Sequence, residues 1–136
     1  MRGMGMRGWG LLTGALLLAG CGQQPAPVAQ CPDPMRGCRI AAGGVQADLR
    51  FASPPGTLRP FVLEVAAPGA KSVAASFTMV GMDMGENRYK LLRTDSGPWR
   101  AEIVLPVCVA GRAEWVMTLE VDGKSVEVPF VAAGRS

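Results

Sequence analysis

Histidine is absent from all 136 residues of the chain. That removes a histidine-based catalytic triad, and it removes imidazole ligation of zinc, Cu(II) or haem. Aromatic residues make only 6% of the sequence, although 49% is hydrophobic. A strong excess of either charge is also missing, with 14 Lys and Arg against 11 Asp and Glu. The formal net charge is +3, and two of the basic residues, Arg2 and Arg7, fall in a leader. A near-neutral chain gives no electrostatic basis for nucleic-acid binding. The sequence carries 18 glycines and 11 prolines, which disfavour long helices and suit short strands joined by many turns. No pair of carboxylates has the spacing of an acid–base site. No glycine-rich phosphate loop precedes a helical stretch, and a thiol with no base beside it is a poor nucleophile. The chain is therefore expected not to be an enzyme.

The N-terminus is basic, with Arg2 and Arg7, and is followed by an apolar run from Trp9 to Ala19. This is the layout of a secretory signal, and it is too short for the roughly 20 residues that a spanning helix needs. It ends in Leu18-Ala19-Gly20-Cys21. The tetrapeptide resembles the lipobox of bacterial lipoproteins. The resemblance implies cleavage of residues 1–20 and a diacylglycerol-modified Cys21 as the new N-terminus. It implies a protein tethered to the membrane through that lipid, facing the periplasm of the cell envelope. Gly22, in place of aspartate, implies the outer membrane.

Residues 21–42 are expected to form an anchored tether. The stretch Gly22–Gln30 is rich in proline and glutamine and has no periodicity, and the Cys31/Cys38 element follows it. An oxidising compartment predicts a disulfide. With Cys21 lipidated, Cys31, Cys38 and Cys108 remain, and spacing alone leaves all three pairings open. The local Cys31–Cys38 pairing is expected, closing a loop shaped by Pro32, Pro34 and Gly37. The alternative is a Cys38–Cys108 bridge, and Cys108 could also be a buried small hydrophobe.

From Val45 the apolar residues alternate. Val45, Ala47, Leu49 and Phe51 form the first set, and Phe61, Leu63 and Val65 the second. Val73, Ala75, Phe77 and Met79 form the third, Arg88–Thr94 is a fourth strand, and Trp99 to Val107 a fifth. Trp115 to Val121 and Val126 to Phe130 complete seven strands, joined at Asp122-Gly123 by a type I′ hairpin signal. The pattern predicts an all-β fold, a seven-stranded antiparallel immunoglobulin-like β-sandwich over residues 43–132, with 133–136 as a C-terminal tail. A small barrel is the alternative. Trp99 and Trp115 are expected to anchor the core. If each strand crosses the sandwich once, loops 52–60, 80–87 and 108–112 share one end, and the Cys31/Cys38 element enters at the other.

Residues 77–88 read FTMVGMDMGENR and hold Met79, Met82 and Met84. Met79 falls on an inward strand position, where core packing is its first role. Met82 and Met84 are two apart between Gly81 and Gly85, so in an extended loop they point the same way. Thioethers are soft donors that suit Cu(I), Cys108 as a thiolate would add a further soft donor, and Asp83 and Glu86 add charge that favours a cation. The bland alternative is that the methionines fill gaps at the end of the sandwich. The stretch Phe77–Gly85, then Asn87-Arg88, Trp99 and Leu105–Arg112 together resemble the FixH/YtkA-like family of copper-associated periplasmic sandwich domains. That resemblance covers residues 43 to 131. It implies a tethered copper-handling module with a periplasmic or inner-membrane protein partner. Lack of histidine narrows the implied metal to Cu(I), with Met79, Met82, Met84 and Cys108 as candidate ligands. The competing expectation is a lipoprotein that binds no metal and docks a partner through its 80–87 loop.

Overall fold

The computed structural model describes residues 25–82, 85, 87–106 and 113–133, together with Gly3 and Gly5. In chain order the strands are β1 (Cys38–Ala42), β2 (Val45–Phe51), β3 (Phe61–Ala66), β4 (Val73–Met79), β5 (Arg88–Lys90), β6 (Leu92–Arg93), β7 (Trp99–Ile103), β8 (Ala113–Val121) and β9 (Lys124–Ala132). They form two antiparallel sheets, ordered β1-β2-β3-β7-β6 and β5-β4-β8-β9. The run β2-β3-β7-β6 facing β4-β8-β9 is the ABED/CFG arrangement of an immunoglobulin-like sandwich. No helix occurs among the described residues.

Alternation builds the core. Along β2 the residues are buried and exposed in strict turn, so one face meets the opposite sheet and the other carries Gln46, Asp48 and Arg50. Phe51, Phe61, Phe77 and Phe130 meet edge-to-face at the centre, Phe51 and Phe130 at 5.1 Å between ring centroids and Phe61 and Phe77 at 6.3 Å. Among the described residues the core contains no buried polar or charged residue. On the outer face of the five-stranded sheet, Glu64 takes Arg50 at 2.8 Å and Arg100 at 3.5 Å from the two flanking strands, a solvated charge row.

Three features depart from the sequence pattern. The fourth expected strand, 88–94, is two strands in two sheets. β5 pairs with β4 and β6 pairs with β7, because Leu91 turns into the core (3% exposed) and carries the chain across. β7 ends at Ile103 rather than running to 107. Beyond it the backbone of Val104 is tied to the Tyr89 hydroxyl, which accepts from its N–H at 3.1 Å and donates to its carbonyl at 2.9 Å. The largest departure is β1, a strand inside the segment expected as tether. Ile40 is fully buried, and the β1–β2 hairpin turns through Gly43 and Gly44, at φ 61° and 79°. The Gly-Gly pair supplies the two positive φ values that a two-residue hairpin needs.

The chain before β1 is also partly docked. Val28 bridges Glu127 in parallel, the Ala29 N–H donates to the Glu127 carbonyl at 2.8 Å, and the Glu127 N–H donates to the Pro27 carbonyl at 2.8 Å. Residues 27–29 thus cover part of the open edge of β9.

Candidate functional site

Strand direction defines two ends. β2, β4, β7 and β9 all finish at one end, where loop 52–60 lies and where the connections 80–87 and 107–112 are both attached. We call this the methionine end. The opposite, hairpin end holds Gly43-Gly44, residues 67–72, residues 94–98 and Asp122-Gly123. The placement of the loops follows the expected alternation, but that of the cysteine element does not. The unforeseen hairpin adds one more crossing, so Cys38, opposite Leu49 near the finish of β2, stands at the methionine end.

The Cys31–Cys38 disulfide is formed, with Cα atoms 5.6 Å apart, a span typical of the bond. Asp33 shapes the loop between them. Its Oδ1 accepts from the N–H groups of Met35 at 3.2 Å and Arg36 at 3.4 Å, and its carbonyl accepts from Gly37 at 3.1 Å. The loop is pinned to the sandwich where the Phe51 N–H donates to the Pro34 carbonyl at 2.8 Å. Neither cysteine is left for Cys108, which lies outside the described residues, as do Cys21 and Met84.

Met79 and Met82 are brought together by a single turn. The Met82 N–H donates to the Met79 carbonyl at 3.2 Å, and Gly81 between them has φ 82°. A β-turn with positive φ at its third position is of type II, and only glycine takes that position freely. Met79 is half-buried at the rim of the core, opposite Trp115 on β8, and Met82 is 40% exposed. Val80, between them, is 56% exposed, and its N–H donates to the Glu114 carbonyl at 2.9 Å. A turn brings its first and last Cα atoms to within about 7 Å, so the two thioether-bearing side chains leave neighbouring backbone positions.

Beside this turn runs a groove of about 450 Å³ walled by Cys31, Pro34, Val80, Trp115 and Val131. Trp115 is 1% exposed, and its indole Nε1 is buried without a hydrogen-bond partner among the described residues. The Nδ2 of Asn87, at the return of the methionine loop, is buried and unpartnered as well. A buried donor without an acceptor costs about 1–3 kcal/mol. The expectation for the two tryptophans holds for Trp115 only. Trp99 has the inward register but starts β7 at the hairpin end, half-buried, with the Arg93 guanidinium 5.9 Å from its ring centroid. A strand's first residue lies at the rim of a sandwich, and alternation reports the face a residue points to but not its depth along the strand.

Among the described residues no three of His, Cys, Asp and Glu gather to hold a metal ion. The apolar side chains left exposed concentrate at the methionine end. Among the described residues, Met35, Leu58, Val80, Met82 and Val131 stand at this end, while Leu92 and Val28 lie toward the other.

No family model matches the chain, and no curated protein matches it. Among solved structures, the crystal structure of an engineered protein is similar at 18% identity and a TM-score of 0.43. The match covers 71% of this chain and 21% of that one.

Proposed function

We propose that the chain is a lipid-anchored periplasmic binding or chaperone module that takes up Cu(I) at the methionine end and has no catalytic role. The observation that carries the reading is the Met79–Met82 turn, which sets two thioether side chains at one rim with Met82 exposed. Thioethers are neutral, soft donors and match a soft monovalent ion better than zinc, calcium or magnesium. Met84 and Cys108, outside the described residues, are the further donors this reading calls on. A Cys108 thiolate would tighten binding and make it depend on pH, because the thiol must first lose its proton. The lipobox-like Leu18–Cys21 supports anchoring at Cys21 in the envelope, with the outer membrane as the destination. The likeness to FixH/YtkA-like domains supports copper handling with a periplasmic or inner-membrane protein partner.

The test is an anaerobic Cu(I) competition titration on the reduced soluble domain. Wild type is expected to bind about one ion. The Met82→Leu/Met84→Leu variant is expected to lose most of that affinity while keeping its β-sheet circular dichroism. No uptake by wild type, or equal uptake by the variant, ends the copper reading.

A second reading is favoured by a separate observation, the exposed apolar residues Leu58, Val80, Met82 and Val131 at the same end. On that reading the 80–87 loop docks a protein partner and no metal is involved. Crosslinking in intact cells distinguishes the two. A partner captured equally well with and without copper, and lost with Val80→Asp, belongs to the docking reading.

A further inference from the structure

The path of the chain before β1 shows which end of the sandwich lies nearer to the N-terminal tether. Pro27 sits at the hairpin end. A Cβ placed on Gly43 would meet the Pro27 Cγ at 2.6 Å and the Ser125 carbonyl oxygen at 3.0 Å. From there residues 27–29 run parallel to β9, away from the hairpin end and toward the methionine end. The chain therefore enters the fold at the hairpin end, although its cysteine element finishes at the other.

Only residues 22–24 separate Cys21 from Pro25, the first residue of the continuous described chain. From Cys21 to the docked Pro27, six steps of extended chain reach at most about 21 Å. Residues 27–29 dock opposite Glu127, and from there to the end of β9 at Ala132 the strand runs roughly 17 Å further at about 3.3 Å per residue. Because the chain leaves Pro27 at the hairpin end, a lipid on Cys21 holds that end nearer the headgroups than the methionine end.

The chemistry of the hairpin end agrees. Lys71, Lys90, Arg93 and Lys124 are exposed around it. The carboxylates there are Asp95, Asp122 and Glu120, of which Asp122 is engaged by the N–H groups of Lys71 and Ser72 and Glu120 by Arg88. Exposed cations at a membrane-proximal surface are attracted to anionic phospholipid headgroups. The methionine end carries the exposed Val80, Met82 and Val131 together with Arg36 and Arg59.

We propose that the lipid-anchored protein stands on the bilayer by its hairpin end, with the anionic headgroup surface against Lys71, Lys90, Arg93 and Lys124, and presents the methionine end away from its own membrane. This rests on the anchoring of Cys21 and is independent of copper. It gives the methionine end a direction. Whatever that end takes up or docks comes from the aqueous space or the facing membrane, not from a neighbour in the same leaflet.

The experiment uses the full-length protein, matured in cells and reconstituted into vesicles of phosphatidylethanolamine and phosphatidylglycerol that carry a headgroup-attached quencher. In a Cys108→Ser background, fluorophores are placed singly at Ser96→Cys on the hairpin end and at Arg59→Cys on the methionine end. Strong quenching at position 96 and little at 59 is expected. Inserting about 20 Gly/Ser residues after residue 24, with a root-mean-square reach of roughly 25 Å, should erase the difference while the protein stays membrane-bound. Equal quenching at both positions without the insertion, or more at 59, overturns the orientation. Anchoring is read separately from the mass of the mature N-terminus and from the release caused by Cys21→Ser. An unlipidated wild type overturns both statements. A lipidated protein with equal quenching overturns only the orientation.

Discussion

The two ends of the sandwich are built on opposite principles. At the hairpin end the turns are short and their polar groups are paired. Asp122 and Gly123 take φ 50° and 80°, as a type I′ turn requires, and Asp122 ties the neighbouring 67–72 loop to that turn. At the methionine end the connections are longer, apolar side chains face solvent, and the Trp115 and Asn87 donors are buried without acceptors among the described residues. Unsatisfied donors and exposed apolar residues both cost stability where nothing covers them. A domain that closes one end and leaves the other under-satisfied concentrates its binding potential at the open end, while the closed end and the core hold the fold.

The largest expected effect tests whether the open end is nevertheless part of the core. Trp115→Ala empties a site that is 1% exposed, and should lower the unfolding free energy by about 3–5 kcal/mol in a urea titration. Trp99→Ala, at the half-buried rim of the closed end, should cost about 1 kcal/mol, the size of an ordinary partly exposed truncation. Trp115→Phe keeps most of the volume and deletes the orphaned indole N–H, so it should cost far less than alanine does. A phenylalanine variant as unstable as the alanine one would mean that the indole N–H is satisfied in solution, and the contrast between the ends would be correspondingly weaker.

The disulfide comes next. Removing it with Cys31→Ser/Cys38→Ser should cost about 2–3 kcal/mol through the entropy of the short loop it closes. Thermal unfolding of wild type with and without reductant should show the same loss. Because the Asp33 turn and the Pro34 carbonyl hold that loop to Phe51 independently, near-native near-ultraviolet circular dichroism should survive below the lowered midpoint.

The disulfide also shows how far the sequence could be read. The strand pattern favours pairing of Cys31 with Cys38 because it places the element at the end opposite Cys108; the bond is formed, but that placement is not the one found. The pattern Cys38–Ala42 is short, and only Ile40 is a large apolar residue on its inward face, so it lacks the alternation that marked Val45–Phe51. The Gly43-Gly44 dipeptide was the available signal, and missing one hairpin reversed the end assigned to everything before it. Docking of residues 27–29 had no signal at all, since a strand that covers an edge through its backbone leaves little trace in its side chains. The split at Leu91 was hidden for a different reason. A residue that crosses between sheets is as buried as one that continues a strand. The methionine turn was legible because glycine at position 81 has a specific geometric consequence.

Glycine substitutions compare the ends directly. Gly81→Ala has open space around its Cβ, so only the positive φ is penalised, by about 1 kcal/mol. Gly43→Ala carries the same backbone penalty and must also displace Pro27, so it should cost more and expose the edge of β9 that residues 27–29 cover. Hydrogen exchange at Glu127, whose N–H donates to the Pro27 carbonyl, should rise in Gly43→Ala and stay unchanged in Gly81→Ala. Equal stability losses with equal exchange would mean that the strap over β9 is not held by the hairpin.

The smallest effect belongs to Asp122, and pH isolates it. Its carboxylate accepts the N–H of Lys71 at 2.8 Å and of Ser72 at 2.9 Å on one oxygen. The bond from Lys71 and then that from Ser72 favour the ionised form and hold the pKa below the ordinary aspartate value. A carboxyl whose folded pKa is lowered binds fewer protons in the native state than in the unfolded one. Its contribution is therefore complete above the unfolded value, near 3.9, and fades as pH falls through the folded value. Asp122→Asn retains an oxygen that can accept both of these bonds but carries no charge to titrate. Wild type should exceed the variant in stability at neutral pH by less than either preceding change, and the two unfolding curves should converge below pH of about 3.9. A gap that persists unchanged into acid would assign the effect to turn geometry at Asp122, which holds φ 50°, and not to the charge that ties the two loops of the closed end together.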